Sequence, residues 1–237
     1  MKIVAAVAVK LWLVALLIAV AGAAQAQARY EGHKKCGSCH RSQAESWRNT
    51  KHAQAMKSLE PNARAEAKRK ASLDPAKDYT ADKDCVGCHV TGFEREGGYR
   101  IGARNLDLDS VACESCHGPG RQYRLLHRKA GQAFESERKT TPRQQLAEAG
   151  EEKEFRERCN ACHLNYEGSP WTGARKPYTP FTPKVDPKYA FDFDKALDDD
   201  KAVHEHFKLE GVFTGPPLPP FRDRLQARAQ PGVMGKE

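Results

Sequence analysis

The chain of 237 residues carries 39 Lys and Arg against 31 Asp and Glu, a formal charge of +8, and 30% of its positions are charged. Such a composition leaves no room for a bundle of membrane spans and supplies too few large aliphatic runs for an extensive side-chain core. Its length suits one domain.

At the N-terminus, Lys2 and Lys10 precede an apolar run, Leu11 to Ala24, which ends in small residues around Ala24-Gln25-Ala26 and turns polar at Gln27, Arg29 and Tyr30. This order predicts a secretory signal peptide over residues 1–26, cut after Ala26, and a mature domain over residues 27–237. The competing reading is an uncleaved anchor over Ile3 to Ala24, against which the mid-run charge of Lys10 weighs. Export predicts a periplasmic location and a mature protein that does not span the membrane.

Cys-X-X-Cys-His then occurs four times, at Cys36 to His40, Cys85 to His89, Cys113 to His117 and Cys159 to His163. Cys-X-X-Cys alone also serves zinc knuckles and redox disulfides. The fifth residue decides, because a His after both thiols is the signature of covalent c-type haem: the thiols add to the two vinyl groups and the His binds the iron. All eight Cys are used by these motifs, so Cys36, Cys39, Cys85, Cys88, Cys113, Cys116, Cys159 and Cys162 are read as attachment points for four haems. His40, His89, His117 and His163 are the proximal ligands. Four porphyrins would supply the apolar core that the side chains lack. With their propionates and ferric irons the charge of the mature chain falls to about +2, and nothing demands nucleic acid.

Between the motifs the pattern predicts a mainly α fold of short helices and long loops packed around the haems. Ser42 and Glu45 have capping-box spacing and open a helix to about Leu59, with His52, Ala55, Met56 and Leu59 on one face. A second helix is expected from Pro61 to about Ser72. Gly118-Pro119-Gly120 stops the third motif, and beyond it Tyr123 and His127 share a helical face. Thr141-Pro142 reads as a cap and first turn, and Glu151 to His163 as a helix delivering the fourth motif. Five prolines from Pro170 to Pro187 rule out regular structure there. Leu197 to Leu209 regains helical character, and no convincing strand pattern appears.

His33, His52, His127, His204 and His206 remain as candidates for the far side of each iron. Met56 is the plausible thioether, since Met1 leaves with the signal and Met234 sits in a Pro/Gly-containing tail. Bis-histidine ligation and low reduction potentials are therefore expected. On a helix His204 and His206 would project about 200° apart, so only one of them would serve.

The residues outside the motifs resemble the tetrahaem cytochrome c-554 family of ammonia-oxidising bacteria, electron acceptors of hydroxylamine oxidoreductase. The resemblance runs from about Gly32 to about Gly211 and is carried by Leu73-Asp74-Pro75-Ala76-Lys77-Asp78-Tyr79-Thr80, by Cys113 to Gly120 and Cys159 to Pro170, by Pro177-Tyr178-Thr179-Pro180-Phe181-Thr182-Pro183, and by His204-Glu205-His206. It implies a haem-packed multihaem cytochrome c in which three irons carry two His and one keeps an open position. Carried across, the distal ligands are His52, His127 and His204, the iron on His89 is five-coordinate, His206 is a bystander and His33 lies off the irons. Thr179, Pro180 and Phe181 would cover the open face.

The function expected on that basis is electron carriage, from hydroxylamine oxidoreductase towards the quinone pool through a membrane-bound cytochrome c quinone reductase, with no substrate changed. The alternative is an enzyme that reduces nitric oxide or a related nitrogen oxide at the open haem. A membrane-attached tetrahaem quinol dehydrogenase is a third reading, and it requires the N-terminal segment to stay attached.

Overall fold

The computed structural model describes residues 28–103, 105, 107–163 and 179–232. The expected signal segment, Pro170, Pro177 and Met234 lie outside the described residues. Among the described residues ten short α-helices alternate with long connections. None is long and apolar enough to cross a membrane.

Each motif sits on a helical turn, which is what three-residue thiol spacing requires if both sulfurs are to face one side. α1 (His33–Gly37) carries Cys36 and leads through Ser38 to α2 (Arg41–Arg48), for which His40 is the N-cap residue. α3 (Ala65–Lys70) precedes α4 (Lys83–Val86), which holds Cys85. α5 (Cys113–His117) is the third motif itself. α6 (Arg121–Glu137), 17 residues long, carries His127. α7 (Gln144–Glu148) is followed by α8 (Phe155–Asn160), which delivers Cys159. α9 (Phe193–Leu197) and α10 (Arg222–Arg228) close the described chain.

The side-chain core is small and divided. One cluster gathers Leu59, Tyr79, Val86, Val90, Tyr99 and Leu108 around the second motif, with Met56 packed against it. The other joins Ala130, Leu146 and Phe213 beside α6. Gly118 turns the chain out of α5 at φ +82°, and a Cβ there would lie 2.5 Å from the carbonyl oxygen of Gly150. Only glycine accepts both conditions.

Several expected elements differ in the structure. The helix expected from Ser42 to Leu59 begins at Arg41, breaks after Arg48, and resumes only as a tight turn at Met56–Leu59. Thr50 causes the break: its hydroxyl donates to the Trp47 carbonyl at 2.7 Å and accepts from the Ala53 amide at 3.2 Å, replacing helical bonds with a local turn. The second helix is shorter than Pro61 to Ser72, because Arg64 enters it in a left-handed conformation at φ 52°. Thr141–Pro142 is not a helix cap but β1, paired in parallel with β2 (Phe213–Thr214). The Arg143 guanidinium fixes that pairing by donating to the Phe213 and Gly215 carbonyls. Residues 151–154 stay outside α8, since the Glu152 amide donates to the His117 carbonyl while its carboxylate accepts from the Lys153 and Glu154 amides.

The expected Leu197 to Leu209 helix is the largest departure. α9 ends where that helix was to start, and Asp198 is held by the guanidinium groups of Arg224 and Arg228 on α10. The chain beyond runs out against the C-terminal segment, with the Gln230 amide donating to the His206 carbonyl at 3.0 Å and the Lys208 amide to the Gln230 carbonyl at 2.8 Å. Tertiary pairing overrides the local helical preference.

Candidate functional site

Three of the four motif histidines meet a histidine from elsewhere in the chain. His163 faces His52, with their Nε2 atoms 3.4 Å apart and ring centroids 5.7 Å apart. The rings of His40 and His127 lie edge to face at 5.6 Å, and those of His117 and His204 stack at 6.3 Å. Two imidazole nitrogens bound to opposite sides of one metal ion, each at about 2.0 Å, would be about 4 Å apart. The pairs therefore could hold an iron between them.

The outer nitrogen of His204 is occupied in a way that leaves its Nε2 available. His204 Nδ1 lies 2.6 Å from the Glu205 carbonyl, and His52 hydrogen bonds to the Ala202 backbone. Such outer partners fix the tautomer of ligating histidines. The segments carrying the distal candidates are tied down by the backbone: the Lys51 amide donates to the Lys201 carbonyl, and the Glu205 amide to Ser46 Oγ at 2.7 Å.

His89 is different. No histidine ring faces it among the described contacts; instead its Nδ1 donates to the Ala55 carbonyl at 2.7 Å, with Ser58 Oγ at 3.1 Å. Both partners come from the turn that continues from His52. Among the described residues His89 thus has its outer nitrogen held and no imidazole opposite it.

Burial keeps these rings neutral. It pushes the pKa of His40 and His163 down to about 4 and that of His117 down to about 3, and it lowers those of His52, His89, His127 and His204. A neutral imidazole is the form that binds iron. Neither of the two other candidates faces a motif histidine among the described contacts, although the His206 ring meets that of His204 edge to face at 5.9 Å. His33 Nδ1 lies 2.9 Å from the Asp107 carbonyl with its ring against Trp47, and His206 Nε2 lies 2.9 Å from the Leu197 carbonyl. Met56 packs into the cluster around the second motif.

No disulfide joins any of the eight cysteines. Burial raises the pKa of Cys116 to about 12 and those of Cys85 and Cys159 to about 11, so these thiols are protonated at neutral pH. No group of three His, Cys, Asp or Glu among the described residues could hold a metal ion. The thiols also show which motifs adjoin: Cys36 hydrogen bonds with Cys113, and Cys88 with Cys162. α5 and α8 pack together, so the motifs form a contiguous spatial run in the order first, third, fourth, second. Paired imidazoles, unbridged thiols and this spacing fit covalent haem.

The Thr179 to Phe181 segment begins the last described stretch. Thr179 Oγ1 accepts from the Phe181 amide at 3.2 Å, and the Phe181 ring meets Tyr189 edge to face at 5.5 Å. Asp186, in the same loop, pairs with Lys70 of α3 at 3.4 Å. The buried hydroxyls of Thr182 and Tyr189 flank Phe181 with no partner among the described residues. A further cavity of about 440 Å³ lies between Phe155, Phe193 and Phe221, with Arg156 stacked over Phe193 and Phe155 edge-on to His117.

The sequence pattern did not single out Ser58, Ser46 or Glu114, and it placed Ala55 on a helical face without assigning its carbonyl to His89. Ala55 acts through its carbonyl and Ser46 through its hydroxyl, in contacts that tertiary structure alone brings about, whereas a Glu inside a Cys-X-X-Cys-His motif was a visible signal.

Comparison with known proteins agrees with this arrangement. Residues 35–118 match the family model described as cytochrome c554 and c-prime. The chain is 62% identical over 211 residues to cytochrome c-554 of Nitrosomonas europaea, covering 89% of this chain and 90% of that protein. It also superimposes on the solved reduced state of cytochrome c554 from the same organism with a TM-score of 0.82, covering 87% of this chain and 99% of the other.

Proposed function

We propose, from the premise that the chain belongs to the cytochrome c-554 family, that it is a periplasmic tetrahaem electron carrier. It takes electrons from hydroxylamine oxidoreductase and passes them towards the quinone pool through a membrane-bound cytochrome c quinone reductase. Covalent haem c, when bound, supplies one-electron chemistry at its iron. Everything else is the work of the chain.

In this reading the four thiol pairs hold the four haems, with His40, His89, His117 and His163 as proximal ligands. His127, His204 and His52 close the far sides of the first, third and fourth sites, and His89 serves the open one. The single observation that carries it is that three motif histidines meet a distal partner while the fourth meets a carbonyl and a hydroxyl. Ligands anchored by backbone contacts keep the same geometry in both oxidation states, which lowers the reorganisation cost of each electron step. The contiguous run of motifs keeps successive steps short.

Mixing the oxidised protein with hydroxylamine-reduced oxidoreductase tests this reading. Rapid reduction of all four haems, slowed by added salt, is the expected result. No reduction would overturn the carrier role, and a salt-independent rate would overturn the electrostatic part of docking.

A second reading has its own support in the unpaired His89. An open position beside three electron reservoirs suits reduction of nitric oxide, with Phe181 restricting access and Thr179 offering a hydroxyl. Turnover of nitric oxide by the reduced protein, measured as gas consumption, separates it from simple binding.

A further inference from the structure

Glu114 is 1% exposed and stands inside the third motif, directly after Cys113. Its Oε1 accepts from the Gly120 amide at 2.6 Å and the Glu31 amide at 3.0 Å. Its Oε2 accepts from the Gly32 amide at 2.7 Å and the Glu31 amide at 3.1 Å. Every contact is an N–H donor, so a carboxyl proton would find no acceptor, and the surroundings specify the anion. Burial raises the pKa above the ordinary carboxylate value and the charge of Glu31 adds to the rise, while the three amides hold it back.

No ion pair among the described residues includes Glu114, and its acidic neighbour Glu31 is itself held by Arg124 at 2.6 Å. Among the described residues a negative charge is thus buried against backbone dipoles with no ion-paired cation, a costly arrangement for structure alone. The surrounding backbone is fitted to it: a Cβ on Gly120 would lie 3.0 Å from Oε1.

We propose that Glu114 is a positioning residue of the third haem site, clamping Glu31 and Gly32 across the motif and lowering that haem's reduction potential through its fixed charge. This rests on the reading that Cys113, Cys116 and His117 hold a haem. Reduction takes an iron porphyrin core from one net positive charge to none, so a nearby buried anion stabilises the oxidised state more than the reduced one. Burial also weakens the screening of that interaction by salt.

The test is a redox titration at pH 7 of the full haem-loaded protein and its Glu114→Gln variant, each first assayed for haem per chain. With four haems in both, one of the four waves is expected to rise, changing its oxidised-to-reduced ratio at fixed potential about tenfold, or 59 mV for one electron. The other three should stay within about twofold. Four unmoved waves overturn the proposal, even if stability falls. A wild-type chain lacking a haem on the third motif overturns both the proposal and the reading beneath it. If the Gln variant does not load four haems, Glu114→Asp keeps the charge and is expected to leave all four waves in place; a rise in one overturns the charge as the cause.

Discussion

Replacing Leu59 with Ala should destabilise the protein and disturb one haem selectively. Leu59 is 6% exposed in the cluster with Tyr79, Val86 and Val90, and it ends the turn whose Ala55 carbonyl and Ser58 hydroxyl hold His89. Its backbone carbonyl also accepts from the Tyr79 amide at 3.0 Å. Truncating a buried Leu to Ala costs 2–5 kcal/mol as lost transfer energy plus cavity, and about 3 kcal/mol suits a site ringed by rigid aromatics. For a domain of this size each kcal/mol lowers Tm by about 2–4 °C, so a fall of about 6–12 °C is expected in thermal unfolding of the haem-loaded protein followed by circular dichroism. The electron paramagnetic resonance signal of the haem on His89 should broaden while the low-spin signals stay sharp. A fall of less than about 2 °C would refute the packing argument. Equal broadening at all four haems would refute the link between Leu59 and His89.

Phe181→Ala should speed the binding of carbon monoxide or nitric oxide at one haem, as read by stopped-flow absorbance, because it removes the ring that closes against Tyr189; an unchanged rate would dismiss Phe181 as a lid. His52→Ala removes the partner of His163 and should raise the number of open irons from one to two per chain, measured by nitric oxide uptake; no change would mean that another residue closes that site. Glu31 has its pKa lowered, chiefly by the hydrogen bond from Arg124. A depressed carboxylate pKa contributes stability above its unfolded value that is lost as pH falls through the folded value. Glu31→Gln should therefore cost about 1 kcal/mol at pH 7 and nothing at pH 2, in denaturant titrations at both; an equal cost at both would put the effect in packing.

The four Cys-X-X-Cys-His motifs are plain in the sequence because covalent haem attachment demands fixed local spacing. The proximal histidines followed from the motifs, while the distal set came through resemblance, and the structure places His52, His127 and His204 opposite three of the four. Helix ends were read less well. The turn at Thr50 depends on one hydroxyl serving as both donor and acceptor, and the extended run through His206 depends on pairing with Gln230, far along the chain. Neither leaves a periodicity in the sequence. His204 and His206 do not lie on a helix, so a 200° projection does not separate them. What separates them instead is that His204 faces His117 while His206 turns to the Leu197 carbonyl. Arg143 shows the same limit from the other side: its long stem lets a charged residue bury at 6% exposure and join two strands too short to announce themselves.

The central claim is that one iron, on His89, is open and three are closed. Titrating the fully reduced protein with nitric oxide and counting bound molecules per chain by electron paramagnetic resonance tests it directly. The account predicts one, unaffected by Met56→Leu. None bound would mean a fourth distal ligand on His89, and two or more would mean that at least one of the three histidine pairs does not close its iron.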